Sequence, residues 1–180
     1  MKTWKQLSSA LVLMLGIMGA ANADQLDDIT KSGVLKVAVP QDFPPFGSVG
    51  ADMQPHGYDI DMATYLAQKL NVKLELVPVT SANRIPYLQT KKVDLVISSL
   101  GKNPEREKVI DFSNAYAPFF LGVFGAESVA VKKADELAEK TIGVTRGAVE
   151  DMELSKIVPT STTVKRFEDN NTTLSAYLSG

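Results

Sequence analysis

From residue 34 the chain alternates between short apolar segments and longer amphipathic ones. Residues 35–39, 72–79 and 93–97 are rich in apolar and β-branched side chains and predict strands. Between the first two, residues 57–70 carry apolar side chains at positions 60, 63, 66, 67 and 70, which form one stripe on a helix. Residues 83–89 predict a second helix. Strand, helix, strand, helix and strand with short links indicate right-handed crossovers and a parallel sheet.

The ends of these helices carry the expected signals. Asp59 and Asp61 suit the positive N-terminal end of the first helix, and Asn71 suits a left-handed stop. We therefore interpret both carboxylates as helix-end charges rather than as an acid–base pair. Ser81 is predicted to cap the second helix.

The third strand turns abruptly polar at Ser98 and leads into a short helix. Asn103 is predicted as the N-cap of that helix, with Pro104 in its first position and Arg106 beside the loop. Ligands of open α/β sheets bind at the carboxyl ends of strands, and a guanidinium suits a ligand with a carboxylate and an ammonium. The alternative is a surface ion pair of Arg106 with Glu105, Glu107 or Asp111.

A proline-rich loop, residues 40–47, follows the first strand and faces the same sheet edge. Its two aromatic residues, Phe43 and Phe46, predict an apolar wall of the ligand site, although plain core packing would also explain them. Arg84, at the start of the second helix, is a further candidate. It could instead anchor the helix N-terminus or pair with Asp94.

A second α/β unit is predicted beyond residue 111. Residues 118–125 predict a strand that crosses into it, 134–140 a short helix, 141–145 and 163–167 strands, and 149 onward a helix. Asn170 or Asn171 is predicted to cap a final helix. At Gly180 the alternation calls for another strand, so we expect an incomplete second unit. The expected divisions are 1–23, 24–117, 118–125 and 126–180.

The N-terminus predicts export, and the composition narrows the function. Lys2, Lys5, an apolar run over 11–20 and Ala21-Asn22-Ala23 form a cleavable signal peptide, which indicates a periplasmic protein. The net charge is −2, and removal of Lys2 and Lys5 leaves 17 basic against 21 acidic residues, or −4. An acidic chain argues against nucleic acid or anionic membrane as partner. With no cysteine and a single histidine, His56, we expect no metal site, thiol chemistry or cofactor.

Three motifs together resemble family 3 of the bacterial extracellular solute-binding proteins. Residues 57–62, with Leu66, Ala67 and Leu70, resemble the family signature, and 98–106 and 142–147 resemble its two ligand loops. The resemblance covers about 35–180. It implies a type II periplasmic-binding-protein-like α/β fold with two lobes and hinge strands, the second lobe incomplete here. It further implies a monomeric, non-enzymatic receptor that delivers a free L-amino acid to the membrane permease of an ABC importer.

The resemblance also implies roles for individual residues. Arg106 holds the ligand α-carboxylate, the Ser99 carbonyl meets the α-ammonium, and Gly101 replaces the usual Ser or Thr. Arg84, in a segment that begins at Ser81, resembles the side-chain arginine of acidic-amino-acid receptors. Pro40 stands where receptors for basic amino acids carry aspartate, so a polar or acidic ligand is expected. The candidate ligand-binding residues are Phe43, Phe46, Ser81, Arg84, Ser99, Gly101, Arg106, Thr145, Gly147 and Ala148.

Two other functions remain open from the sequence. Relatives of the family include dehydratases of arogenate or prephenate, which need a general acid or base near the leaving group. We expect no histidine, cysteine or paired carboxylates in the loops facing the cleft, which disfavours an enzyme. A ligand-sensing domain of a signalling receptor is the other alternative.

Overall fold

The structure is a computed structural model that describes residues 24–118, 120–129 and 131–180. The predicted signal peptide, residues 1–23, lies outside the described residues. Within the described ranges, no helix has the length and apolar character needed to cross a membrane.

The first lobe is built on the predicted parallel sheet. Its elements are α1 (Gln25–Ser32), β1 (Val34–Pro40), β2 (Asp42–Phe43), β3 (Gly47–Val49), β4 (Pro55–His56), α2 (Tyr58–Leu70), β5 (Lys73–Val79), α3 (Arg84–Gln89), β6 (Leu95–Val96) and α4 (Pro104–Glu107). β1 is the central strand, and β5 and β6 pair with it in parallel on either side. The strand, helix, strand, helix, strand order is thus confirmed.

The core of this lobe lies on both faces of β1. Leu35, Val37 and Val39 are buried on one face, in a cluster with Ile60, Ala63 and Ala67 of α2. On the other face Ala38 packs with Val79 and Val93. A central strand buried on both sides carries apolar side chains at nearly every position, as the sequence of β1 does.

The proline-rich loop has more regular structure than expected, because β2, β3 and β4 form a small antiparallel sheet. Its backbone also begins α2: the amides of Tyr58 and Asp59 donate to the carbonyls of Pro45 and Phe46 at 3.0 and 2.8 Å. A Cβ on Gly57 would lie 2.5 Å from the Phe46 oxygen, and Gly57 has φ +132°. Only glycine fits there, which explains the first position of the signature.

The second lobe contains a pair of parallel strands covered by helices. A 3₁₀ helix (Ala134–Leu137) is followed by β7 (Thr141–Thr145), α5 (Val149–Ile157), β8 (Thr163–Phe167) and α6 (Asn170–Leu178). β7 pairs with β8 in register Thr141 to Thr163. Its core joins Leu137, Val144 and Leu154.

Three local predictions are wrong. Residues 118 and 120–125 form no strand, and Phe120 and Phe124 are 94% and 90% exposed (Phe119 lies outside the described residues). A strand requires a hydrogen-bonded neighbour, and no described strand pairs with this segment. The N-cap of α3 is Asn83 rather than Ser81, and that of α6 is Asp169, whose carboxylate accepts from the Thr172 amide at 2.7 Å.

Candidate functional site

The two lobes face each other across a cleft at the carboxyl ends of β1, β5 and β6. Residues of both lobes line it: Pro40, Asp42, Phe43, Val79, Ser81, Arg84, Ser98, Ser99, Ala148, Val149, Glu150 and Asn170. The structure therefore brings together five predicted site residues, namely Phe43, Ser81, Arg84, Ser99 and Ala148. A neighbouring cavity is lined by two more, Phe46 and Gly101, and again by Ser99.

Arg106 is positioned by α4 and is 4% exposed. The Asn103 side chain accepts from the Arg106 amide at 2.9 Å, so the predicted N-cap is confirmed. The guanidinium donates to the Gly101 carbonyl at 2.6 Å and to the Gly147 carbonyl at 3.0 Å. The first carbonyl belongs to the first lobe and the second to the second lobe, so Arg106 spans the cleft. Its predicted surface partner Glu107 pairs with Lys102 instead, at 2.8 Å.

Arg84 begins α3 and reaches the same carbonyl. It donates to the carbonyls of Ser81 at 3.1 Å, Ser98 at 2.8 Å and Gly147 at 3.4 Å. The proposed pairing with Asp94 is wrong, because the Asp94 carboxylate accepts from the Lys36 amide and from Gln25. Among the described residues, neither Arg84 nor Arg106 forms an ion pair.

Burial perturbs both guanidiniums. Desolvation, and next the positive charge of Arg106, lowers the pKa of Arg84 to about 10, against the attraction of Glu150, Asp42 and Asp59. Desolvation also lowers the pKa of Arg106, and Glu150 again opposes it. Both remain protonated at neutral pH, so the cleft holds two buried cations whose hydrogen-bond acceptors are neutral carbonyls. An anion that displaced a carbonyl there would form stronger, charge-assisted bonds.

Asp59 holds the loop that follows β6, residues 98–103, which we call the ligand loop after the family motif that it resembles. Its carboxylate accepts from the amide and the hydroxyl of Ser99 at 2.8 and 3.0 Å. Asp59 does lie in the first turn of α2, as expected, but it is fully buried, and the sequence reasoning missed its contacts with the loop. Its position at the start of the signature motif was the available signal.

The aromatic side chains form a continuous group beside the ligand loop. The rings of Phe43 and Phe46 stack with centroids 5.5 Å apart, and Tyr58 meets Phe46 edge-on at 6.5 Å. Tyr116 stacks on Tyr58 at 5.9 Å. Phe43 lines the cleft and Phe46 the neighbouring cavity, and their role as an apolar wall of the ligand site stays a prediction.

The second-lobe loop approaches the first lobe at Gly147. A Cβ at Gly147 would lie 2.9 Å from the Cα of Ala82, and the residue has φ +72°. Ala148 follows as the N-cap position of α5 and is buried. The hydroxyl of Thr145 bonds instead to the side chains of Asn170 and Thr173, at 2.7 and 2.8 Å. In this structure Thr145 holds α6 against β7 and lines neither cavity.

Two carboxylates line the cleft, one on β2 and the other on α5. Asp42 of the first lobe accepts from the Asn170 amide of the second lobe at 2.6 Å. Glu150, in the first turn of α5, faces both arginines. The sequence offered no period or spacing that would place them together, because they lie on different lobes. Within the described part of the chain, no group of three or more His, Cys, Asp or Glu residues could hold a metal ion.

Comparison with known proteins identifies the family of the chain. Residues 35–161 match the model of bacterial extracellular solute-binding proteins, family 3. The L-cystine-binding protein TcyJ of Escherichia coli (strain K12) is 30% identical over 144 residues, which are 78% of this chain and 54% of that protein. The cyclohexadienyl dehydratase of Pseudomonas aeruginosa is 33% identical over 118 residues, 64% of this chain and 44% of the relative. Other relatives are named as binding proteins for arginine, glutamine and glutamate/aspartate.

Solved structures give the same result. The crystal structure of the ancestral amino acid-binding protein AncCDT-1, a precursor of cyclohexadienyl dehydratase, has a TM-score of 0.77 at 34% identity and covers 87% of this chain and 70% of its own. This chain spans about half the length of the curated relatives TcyJ and the dehydratase. It belongs to the bacterial extracellular solute-binding proteins, family 3, and its fold is of the type II periplasmic-binding-protein class.

Proposed function

We propose that the protein is a receptor that captures a free L-amino acid, polar or acidic, in the cleft between the two lobes. The observation that carries this proposal is the convergence of the Arg84 and Arg106 guanidiniums on the Gly147 carbonyl. Two buried cations without an ionic partner among the described residues favour a ligand that brings negative charge. An α-carboxylate can take two parallel hydrogen bonds from Arg106, which a carbonyl oxygen cannot.

The remaining groups suit the other end of a zwitterion. Among the described residues, the Ser99 carbonyl accepts one long hydrogen bond, from Arg84 at 3.4 Å, so it can also accept from an ammonium. Glu150 and Asp42 add negative charge on the same cleft. Phe43 and Phe46 supply the apolar wall. These roles, together with those of Ser81, Gly101, Thr145 and Ala148, belong to the proposal.

The proposal favours acidic over basic side chains. Arg84 lines the cleft and Arg106 bridges the two lobes beside it, so a second carboxylate of the ligand would meet a second guanidinium, whereas a lysine or arginine side chain would bring a like charge next to it. We place the receptor in the periplasm, as a monomer that delivers its ligand to the permease of an ABC importer. The family description, which specifies extracellular proteins, supports this location.

The experiment is a titration of the isotope-labelled protein with the common L-amino acids, each at millimolar concentration, followed by NMR at the amides of Gly101 and Gly147. We expect L-glutamate, L-aspartate or L-glutamine to shift both signals, since the two glycines lie on opposite sides of the cleft. D-glutamate serves as the matched control, because it carries the same groups with the opposite configuration at Cα. Shifts from lysine and arginine alone would overturn the side-chain preference, and no shift from any amino acid would overturn the function.

A dehydratase is the second candidate, favoured by the relative from Pseudomonas aeruginosa and by the two carboxylates on the cleft. Conversion of prephenate or arogenate releases the ring carboxylate as CO2 and the ring hydroxyl as water, and a general acid must protonate that hydroxyl as it leaves. Glu150 and Asp42 are the residues of the described cleft that could act in this way. Formation of phenylpyruvate or phenylalanine by the protein, abolished in Glu150→Gln or Asp42→Asn, would support the enzyme. A reaction rate equal to that in buffer without the protein would exclude the dehydratase.

A further inference from the structure

Asp59 is fully buried and contacts two separate parts of the chain. One carboxylate oxygen accepts from the amide and hydroxyl of Ser99 in the ligand loop, at 2.8 and 3.0 Å. The other accepts from the phenol of Tyr116 at 3.0 Å. Tyr116 belongs to residues 112–118, which contain no helix or strand and lead into the predicted crossover at 118–125; we call residues 112–118 the crossing segment. A single carboxylate thus joins α2, the ligand loop and the crossing segment.

The ligand-loop side of this junction depends on Asp59 for its shape. Ser99 has φ +46°, a left-handed conformation that residues with a Cβ rarely adopt. Arg84 and Arg106 hold the carbonyls of Ser98 and Gly101 on either side, but the amide of Ser99 is held by Asp59. A non-glycine residue stays in this region only where its surroundings enforce it.

The crossing-segment side is attached to the same helix. The Tyr116 ring stacks on that of Tyr58 at 5.9 Å, and the Tyr58 phenol donates to the Tyr116 carbonyl at 3.3 Å. Residues 112–118 contain no helix or strand, so these contacts and the Asp59 bond fix the segment where it leaves the first lobe. Any change in the direction of the crossing segment must move the Tyr116 phenol relative to Asp59.

We propose that Asp59 is a positioning residue that couples the ligand loop to the crossing segment, so that movement between the lobes is transmitted to the Ser99 backbone. The inference goes beyond the proposed function, because it concerns how the site and the connection between the lobes influence each other. A carboxylate that merely fills its hydrogen-bonding capacity would stabilise the first lobe without making Ser99 sensitive to the crossing segment.

The test measures amide hydrogen exchange of Ser99 by NMR in the ligand-free protein with Tyr116→Phe. This substitution removes the hydrogen bond to the Asp59 carboxylate, together with the interaction of the phenol with the Ser99 backbone, and leaves the ring stack on Tyr58. We expect the Ser99 amide to exchange about tenfold faster or more. The Ile97 amide, bonded to the Ala38 carbonyl at 2.9 Å, reports opening of the sheet two residues away and should change much less.

Two controls make the result specific. Tyr65→Phe removes a phenol from an exposed ring on α2 and should leave Ser99 exchange unchanged. Asp59→Asn should accelerate Ser99 exchange at least as much as Tyr116→Phe does, whereas Asp61→Asn, an exposed carboxylate on the same helix, should not. Should Asp59→Asn fail to fold, Tyr116→Phe alone decides. Equal acceleration of Ser99 and Ile97, or no acceleration of Ser99, would overturn the coupling.

A second readout rests on the proposed function and uses L-glutamate as the probe. Tyr116→Phe should raise the Kd for L-glutamate several-fold, and Tyr65→Phe should leave it unchanged. If the wild-type protein does not bind L-glutamate, the ligand preference fails. The exchange experiment, which contains no ligand, still decides the coupling.

Discussion

Arg106 of the first lobe donates a hydrogen bond to the carbonyl of Gly147 in the second lobe, over 3.0 Å. The guanidinium is almost inaccessible to solvent, and its second hydrogen bond goes to Gly101 beside it. A cation that bridges two lobes through a neutral acceptor can exchange that acceptor for a stronger one. Under the proposed function, this relationship would connect ligand binding with the contact between the lobes.

Two substitutions of Arg106 should show how much of the ligand affinity depends on its positive charge and how much on its hydrogen-bonding geometry. Arg106→Lys keeps the positive charge but loses the two parallel hydrogen bonds that a guanidinium donates to a carboxylate, so we expect weaker binding of L-glutamate. Arg106→Ala should cost about 2–5 kcal/mol of binding free energy, because the ligand carboxylate is left unpaired. Calorimetric titration measures both values. The control is Arg146→Ala, an exposed arginine next to the same glycine, and equal affinity of Arg106→Ala and the wild type would contradict the assignment.

Arg84 should decide between an acidic and an amide side chain. Arg84→Gln removes the second guanidinium while retaining hydrogen-bonding capacity at the cleft. We expect the affinity for L-glutamate to fall by about 1.4 kcal/mol or more, a factor of ten, and that for L-glutamine to fall much less. Competition titrations with the two ligands give the ratio directly. A uniform loss for both would show that Arg84 supports the ligand loop through Ser98 rather than contacting the ligand side chain.

Gly147→Ala and Gly33→Ala form a matched pair of substitutions. Both glycines have φ near +70°, but a Cβ at Gly147 would meet Ala82 of the opposite lobe at 2.9 Å, whereas a Cβ at Gly33 has nothing within 4 Å. Each should lose about 1 kcal/mol of stability from the left-handed conformation. Gly147→Ala alone should also weaken ligand binding, since it separates the lobes. Thermal unfolding and titration measure the two effects, and equal affinities in both variants would contradict the close approach.

The pH dependence of stability should reveal the burial of Asp59. Desolvation raises the pKa of Asp59 above its usual 3.8, although hydrogen bonds from Tyr116 and Ser99 oppose this. The folded state therefore binds the proton more tightly than the unfolded state. The contribution of Asp59 to the free energy of unfolding is complete below 3.8 and is lost as the pH rises through the folded pKa.

The asparagine of Asp59→Asn does not titrate. Between pH 3.8 and the folded pKa of Asp59, the free energy of unfolding of this variant should therefore rise relative to that of the wild type as the pH rises. Urea unfolding of both proteins at several pH values gives the difference in their free energies of unfolding. The contributions of the other carboxylates are the same in both proteins and drop out of this difference. Asp61→Asn, which alters an exposed carboxylate, should follow the wild-type curve in parallel. Parallel curves for Asp59→Asn as well would mean that the Asp59 pKa is not raised by folding.

The elements whose signals are local could be predicted from the order of residues along the chain. Helix α2 follows from the periodicity of its apolar stripe and from its end residues. The parallel arrangement of β1, β5 and β6 follows from the handedness of the crossovers. The start of α4 follows from Asn103 and Pro104, because a nearby side chain can satisfy the free backbone groups of a helix end. The signature motif and the two loops likewise placed the chain in its family. Arg106 was identified because it lies next to a strand end, where parallel sheets bind ligands.

Which charges share one environment became visible only in the folded structure. Asp42 and Glu150 lie 108 positions apart in the chain and on different lobes, yet both face Arg84. Asp59 has the sequence context of a helix-end charge, and only the packing of the ligand loop and Tyr116 against α2 buries it. Burial and charge proximity depend on distances in space, which no local pattern encodes, whereas helix ends and strand order depend on neighbours along the chain.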